Sequence, residues 1–182
     1  MTTLALLLSL ACCASFSWAI VRLFSRPAGM TPRMRLVSAL GAFFSGAQIA
    51  ALANTTPSFG RTSIALTLYV VALGLFWWAV PKAASAKLNL AFTDTRPAIL
   101  LTDGPYAYVR HPFYASYLLY WTAGATVSIW LWSSVLVMGS FYVIAMVQEE
   151  NSFRQSPLAA TYTAYRQRTG ALVPILLGIK RK

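Results

Sequence analysis

Acidic residues are nearly missing from this chain. Its 182 residues hold 4 Asp and Glu against 15 Lys and Arg, and only 10% are charged at all. A soluble globular domain carries about one quarter charged residues. With 58% hydrophobic residues and a mean hydropathy of +0.60, the composition is that of an integral membrane protein in one domain. Histidine and cysteine are as scarce, with 1 His and 2 Cys. Cys12 and Cys13 are adjacent in an apolar run, so they form no crosslinked framework. No Cys/His ligand spacing exists either, and no metal site is expected. Both thiols read as inert packing groups. The net charge of +11 would suit nucleic acid, but the basic residues are spread between apolar spans instead of forming one patch. Nucleic acid is therefore excluded as a partner. No Lys or Arg precedes Arg22. A cleaved signal begins with positive charge, so the first apolar run is expected to stay as a membrane helix. There is no internal repeat and no low-complexity segment.

What the chain does have is long apolar runs. Thr2 to Val21 is charge-free and long enough to cross the hydrocarbon core. Arg22 to Arg35 holds four Arg, two Pro and a Gly, and reads as a loop. Leu36 to Ala53 is a second span, with Gly41, Gly46 and Ala50 allowing close helix approach. Gln48 within it is best read as a helix–helix hydrogen bond. After a short turn, Thr62 to Val80 is a third span that ends on Trp77 and Trp78, with Pro81 expected to close it. Lys82 to Arg110 is the longest polar connection and carries a small apolar patch at Ala98, Ile99, Leu100 and Leu101. From Pro112 to Gln148 there is no charge. One helix of that length would run about 55 Å, too long for a bilayer, so a hairpin of two spans is expected, bending near Thr126 to Ile129. Its first arm is short. Ser156-Pro157 looks like an N-cap followed by Pro at the first helical position, with Gly170 as the stop. Leu158, Tyr162 and Tyr165 then share one helix face. Ala171 to Ile179 is apolar but too short to span. The expected fold is all-α: a polytopic membrane helical bundle of about five transmembrane helices with a C-terminal cytosolic helix. It forms a single membrane domain over 1–182, with three spans in 1–81 and the functional half in 82–182.

Charge gives this arrangement a direction. With five spans and the amino terminus outside, every Lys and Arg except Arg61 falls on the inner side. The positive-inside rule selects that topology. Both ends of the last hairpin then meet at the cytosolic face, which makes His111 and Glu150 possible neighbours.

The chemistry is concentrated in Gly104 to Ser116, GPYAYVRHPFYAS, and in Glu149-Glu150. Adjacent carboxylates at the edge of a bilayer are costly unless paired. They also oppose the macrodipole at a helix C-terminus. A solvated helix end, or a salt bridge to Arg110 or Arg154, is the plain reading, and a bound cation is the more demanding one. His111 alone is an ordinary structural donor. Pro112 starts a helix, and the free N–H groups of such a start favour a carboxylate. Tyr106, Tyr108, Phe113 and Tyr114 offer π faces to a planar base or a cation, although any one of them alone suits an aromatic interface belt. A ligand matching the set carries an amine, a carboxylate, an aromatic base and a sulfonium. S-adenosyl-L-methionine has all four.

The stretch LLTDGPYAYVRHPFYAS, with Gly124, Glu149-Glu150 and the ending YTAYRQRTGALVP, resembles the isoprenylcysteine carboxyl methyltransferase family of integral membrane methyltransferases. Related motifs occur in phospholipid N-methyltransferases. The likeness spans about Leu90 to Pro174, and the first three spans carry no motif. The resemblance implies a methyltransferase that uses S-adenosyl-L-methionine on a lipophilic or membrane-embedded acceptor, in a bacterial inner membrane with its site facing the cytosol. It places Ala98, Ile99, Leu100 and Leu101 along the adenosine end. Tyr106, His111, Pro112, Phe113 and Tyr114 wrap the cofactor, and Glu150, with Glu149 beside it, binds the methionyl amine. Relatives that methylate prenylcysteine carry an Arg one turn before the Glu pair, where this chain has Met146. That departure, and Ala171 where relatives carry a basic residue, argue against prenylcysteine as the acceptor. Two other readings remain. Membrane sterol reductases share a similar C-terminal half and use NADPH, but a 2′-phosphate calls for more cations than Arg96 and Arg110 supply. A non-catalytic membrane scaffold is the third.

Overall fold

The computed structural model describes residues 1–24, 29–86 and 99–175. These residues are helical, with no strand beyond one isolated bridge. Helix α1 covers Thr2–Trp18 and runs on into a π turn at Ala19–Leu23. Helix α2 is Pro32–Asn54, α3 is Phe59–Ala86, α4 is Pro112–Val127, α5 is Trp132–Arg154 and α6 is Ala159–Arg168. Four segments are long and apolar enough to cross a membrane: Thr2–Leu23, Pro32–Asn54, Phe59–Ala86 and Ile129–Arg154. Helix α4, at 16 residues, is about 24 Å long.

Short as it is, α4 is the centre of the bundle. It packs on α2, α3 and α5 and most extensively on α3. Buried residues occur all round it, from Phe113 and Ser116 to Tyr120, Trp121 and Gly124, the pattern of a helix enclosed by others. Its Tyr120 and Trp121 join Leu52 of α2, Tyr69 of α3 and Met138 of α5 in one core cluster. A second cluster, formed by Ala19, Phe76, Ala79, Ala83 and Phe113, supports its first turn. The α4–α5 break falls at Ser128 and a 3₁₀ turn over Ile129–Leu131, where the hairpin bend is expected. Trp130, 83% exposed, projects there.

Several boundaries differ from the sequence reading. Helix α2 begins at Pro32 inside the expected loop, because Thr31 Oγ1 accepts from the Met34 amide at 3.2 Å and Pro sits at the first helical position. Pro81 does not close the third span: α3 continues to Ala86. A Pro inside a helix forfeits one backbone bond, yet Ala79 and Ala83 on either side are fully buried, and packing holds the helix together. The last helix starts at Ala159, not at Ser156-Pro157. Ser156 Oγ accepts from the Leu158 amide at 3.1 Å, which shapes a turn ahead of the helix. Gln48 behaves as read: its Nε2 donates to Ser9 Oγ at 3.3 Å and to Tyr69 Oη at 3.0 Å, joining α1, α2 and α3.

Candidate functional site

The site forms where α4 starts and α5 ends. His111 is the N-cap of α4, with Pro112 at the first helical position. Its side chain makes no capping bond, so the imidazole is left to face α5. The first α4 carbonyl to be used is that of His111 itself, by the Ala115 amide at 3.0 Å. The Phe113 and Tyr114 amides therefore have no intrahelical acceptor.

The loop before α4 is braced from two sides. Asp103 forms an ion pair with Lys82 of α3. Gly104 then turns with φ +59°, and a Cβ there would meet the Lys82 side chain at 3.3 Å, so the turn favours glycine. The segment after α6 supplies the second brace. Arg110 and His111 donate their amides to the Gly170 and Ala171 carbonyls at 2.8 and 3.0 Å, and the Gly170 amide donates to Tyr108 O at 3.3 Å. Helix α6 adds a bond from Tyr165 Oη to Tyr106 O at 2.7 Å and a stack of Tyr162 on Phe153 at 5.0 Å. Gly170 is thus more than a helix stop. A Cβ on it would lie 1.7 Å from Val173 O. Gly170→Ala is expected to break this pairing and release the chain after Thr169, at about 1–3 kcal/mol of overpacking cost. Limited proteolysis should show faster cutting C-terminal to α6 and unchanged cutting at the α2–α3 turn.

The two glutamates have different surroundings. Glu150, 12% exposed, is ringed by basic side chains: Arg110 Nε at 2.9 Å, Arg166 Nε at 3.4 Å, Arg154 Nη2 at 3.6 Å and His111 Nε2 at 3.4 Å. Arg110 also donates through Nη1 to the carbonyls of Thr169 and Arg166. Glu150 is the electrostatic knot that ties α5 to the loop and to α6. Glu149, 40% exposed, accepts from Tyr114 Oη and lies 3.5 Å from His111 Nδ1. It retains open space on one side.

His111 bridges both carboxylates, with 9% of its side chain exposed. Burial pushes its pKa down, but the hydrogen bonds and charges of Glu149 and Glu150 outweigh that and raise it above the usual 6.5. A raised folded-state pKa stabilises the fold fully below pH 6.5 and loses that contribution as pH rises through the folded value. Melting temperature in detergent should therefore fall as pH is raised from 6.5, and His111→Gln should flatten that slope.

A cleft of about 1700 Å³ opens from this site into the bundle. Ile99, Leu100, Leu101, Tyr106, His111 and Glu149 line its mouth, and Pro112, Phe113 and Tyr114 its α4 wall. Further in it reaches Tyr117, Tyr142, Ser45, Trp121 and Met138. Glu150 is not among the lining residues. Tyr108 is turned away, its ring 5.9 Å from Trp78. Met146 is buried in helix packing, and Ala98 lies outside the described residues. Among the described residues no group of three or more metal-ligating side chains occurs. The phenols of Tyr117 and Tyr142 were missed by sequence reading. Helical spacing carries the signal for them: Tyr117 follows Tyr114 by three residues, and Tyr142 precedes Glu149 by seven. No family model matches the chain, and no curated protein or solved structure matches it.

Proposed function

We propose that this chain is a methyltransferase of the bilayer that takes S-adenosyl-L-methionine from the cytosol and a lipophilic acceptor from the membrane. One observation supports this above the others. The half-exposed Glu149 carboxylate, the first turn of α4, whose Phe113 and Tyr114 amides have no acceptor within the helix, and the apolar strip Ile99 to Leu101 all line one cleft. Glu149 suits the amine. The α4 start suits the carboxylate, with the helix dipole in its favour. The ring faces of Phe113 and Tyr114 suit the sulfonium and the base. The amine is given to Glu149 in place of Glu150, because three arginines and His111 already surround Glu150. Such a donor supplies a methyl group that an acceptor lone pair takes while the C–S electron pair returns to sulfur, which leaves as a neutral thioether. The residues here bind and align; His111 holds Glu149 in place, and the apolar walls exclude water.

In this reading α4 is a fifth span, shorter than the other four and shielded by them. The amino terminus lies outside, all Lys and Arg but Arg61 lie inside, and α6 rests on the cytosolic face. The membrane is a bacterial inner membrane. The test is incubation of the purified protein with methyl-labelled cofactor and total membrane lipid. Label in an organic-soluble product supports the reading. No label, together with binding of NADPH in place of S-adenosyl-L-methionine, overturns it.

A further inference from the structure

The cleft changes chemistry with depth. Its charged lining residues, among those described, are Arg33, Arg110, His111 and Glu149. Arg33 is in the first turn of α2, and the other three are at the α4–α5 mouth. Inward of these the described lining carries no charge, but it is not wholly apolar. Tyr142 lies seven residues before Glu149 on α5, about 10 Å deeper, and Tyr117 lies six residues after His111 on α4, about 9 Å deeper. Their ring centroids are 5.6 Å apart. Tyr142 Oη accepts from Trp121 Nε1 at 3.1 Å, and its own hydrogen has no acceptor among the described residues. Tyr117 Oη has no hydrogen-bond partner among them. Nearby, the lining groups Cys13 Sγ and Tyr120 Oη are hydrogen-bonded to each other at 2.9 Å.

We infer that Tyr117 and Tyr142 form an oxygen-binding subsite that selects a lipophilic ligand carrying a neutral hydroxyl or carbonyl. The ligand's chain lies deeper, against Cys13, Trp121 and Met138. The inference rests on the methyltransferase reading only in naming that ligand as the acceptor. Two phenols with unused donors, on facing helices, meet one oxygen from two directions. A ligand oxygen there accepts from the two phenol hydrogens that no described residue uses. A carboxylate at the same depth meets no cation among the described lining residues, and an uncompensated charge in such a place is disfavoured. A plain alkane leaves both phenol hydrogens unused.

The experiment uses the full chain in detergent and three probes of equal chain length: a long-chain bromoalkanol, the matching bromoalkanoic acid and the bromoalkane. Bromine quenching of tryptophan emission reads binding, and Trp121→Phe identifies the part of the signal that comes from the cleft. At a pH where the acid is ionised, the alcohol should bind at least about fivefold tighter than either other probe, the worth of one neutral hydrogen bond. Combined Tyr117→Phe and Tyr142→Phe, which keep the rings, should bring the alcohol down to the alkane. Acid binding as tight as alcohol, or an alcohol preference that survives both substitutions, overturns the subsite. Calorimetry with S-adenosyl-L-methionine on the same preparations separates the two claims. Loss of the alcohol preference with cofactor heat intact removes the subsite alone. An intact preference without cofactor heat removes the methyl-donor reading and leaves the subsite standing.

Discussion

Gly124→Ala should destabilise the bundle by about 3 kcal/mol, the upper range for forcing extra volume into a packed core. A Cβ at this position would lie 1.9 Å from Gln48 Oε1 and 2.8 Å from Gln48 Cγ. The tip of a flexible side chain moves aside easily, but Gln48 is fully buried and its amide is hydrogen-bonded to both Ser9 and Tyr69. Its Oε1 is buried with no hydrogen-bond partner among the described residues, and it lies against the bare α4 backbone at Gly124. Moving it breaks the hydrogen bonds by which Gln48 joins α1, α2 and α3. Gln48→Ala removes the obstacle, so the double variant should recover much of the lost stability. A coupling of 1 kcal/mol or more in the double cycle, measured by thermal or denaturant unfolding in detergent, is expected for residues in such contact, at the middle of the roughly 0.5–3 kcal/mol range. Strict additivity would mean that α4 and α2 are not this close.

Arg110→Met should cost about as much, for an electrostatic reason. Removing one partner of a buried ion pair costs roughly 3–5 kcal/mol, because the other charge stays buried. Arg110 and Glu150 are 9% and 12% exposed at the side chain. Arg154, Arg166 and His111 remain near Glu150, which puts the expected loss at the lower end of that range. The loss should also be local. Arg110 holds the carbonyls of Thr169 and Arg166 as well, so amide exchange should rise in 108–111 and 166–171 before it rises in α1 to α3. Combining Arg110→Met with Glu150→Met should restore part of the stability, since an apolar pair replaces an orphaned charge. A double variant less stable than Arg110→Met would contradict this account.

How far the sequence could be read depended on which interactions are local. The charge-free length from Pro112 to Gln148 demanded a turn, and α4 and α5 break at Ser128 within the expected stretch. An antiparallel hairpin then brings residue 111 to residues 149 and 150, and the structure joins them at 3.4 and 3.5 Å. Gln48 in an apolar run had to find a partner, and Ser9 and Tyr69 provide it. Contacts between distant segments left no such trace. Nothing around Gly170 shows that its neighbours pair with 108–111. Nothing around Gly124 shows that Gln48 occupies the space where a side chain would stand. Pro81 misled because its local cost was visible and the packing of Ala79 and Ala83 that offsets it was not. Glu149 and Glu150 look alike in sequence. A helix turns about 100° per residue, so one faces the cleft and the other the arginines.

That division of labour is the centre of the account, and titration calorimetry tests it directly. S-adenosyl-L-methionine added to the detergent-purified wild type should give saturable heat. Glu149→Gln should weaken binding roughly tenfold or more, the worth of a hydrogen bond to a charged group, with its melting temperature little changed. Wild-type affinity in Glu149→Gln, or no heat from the wild type itself, would contradict the placement of the methyl donor in this cleft.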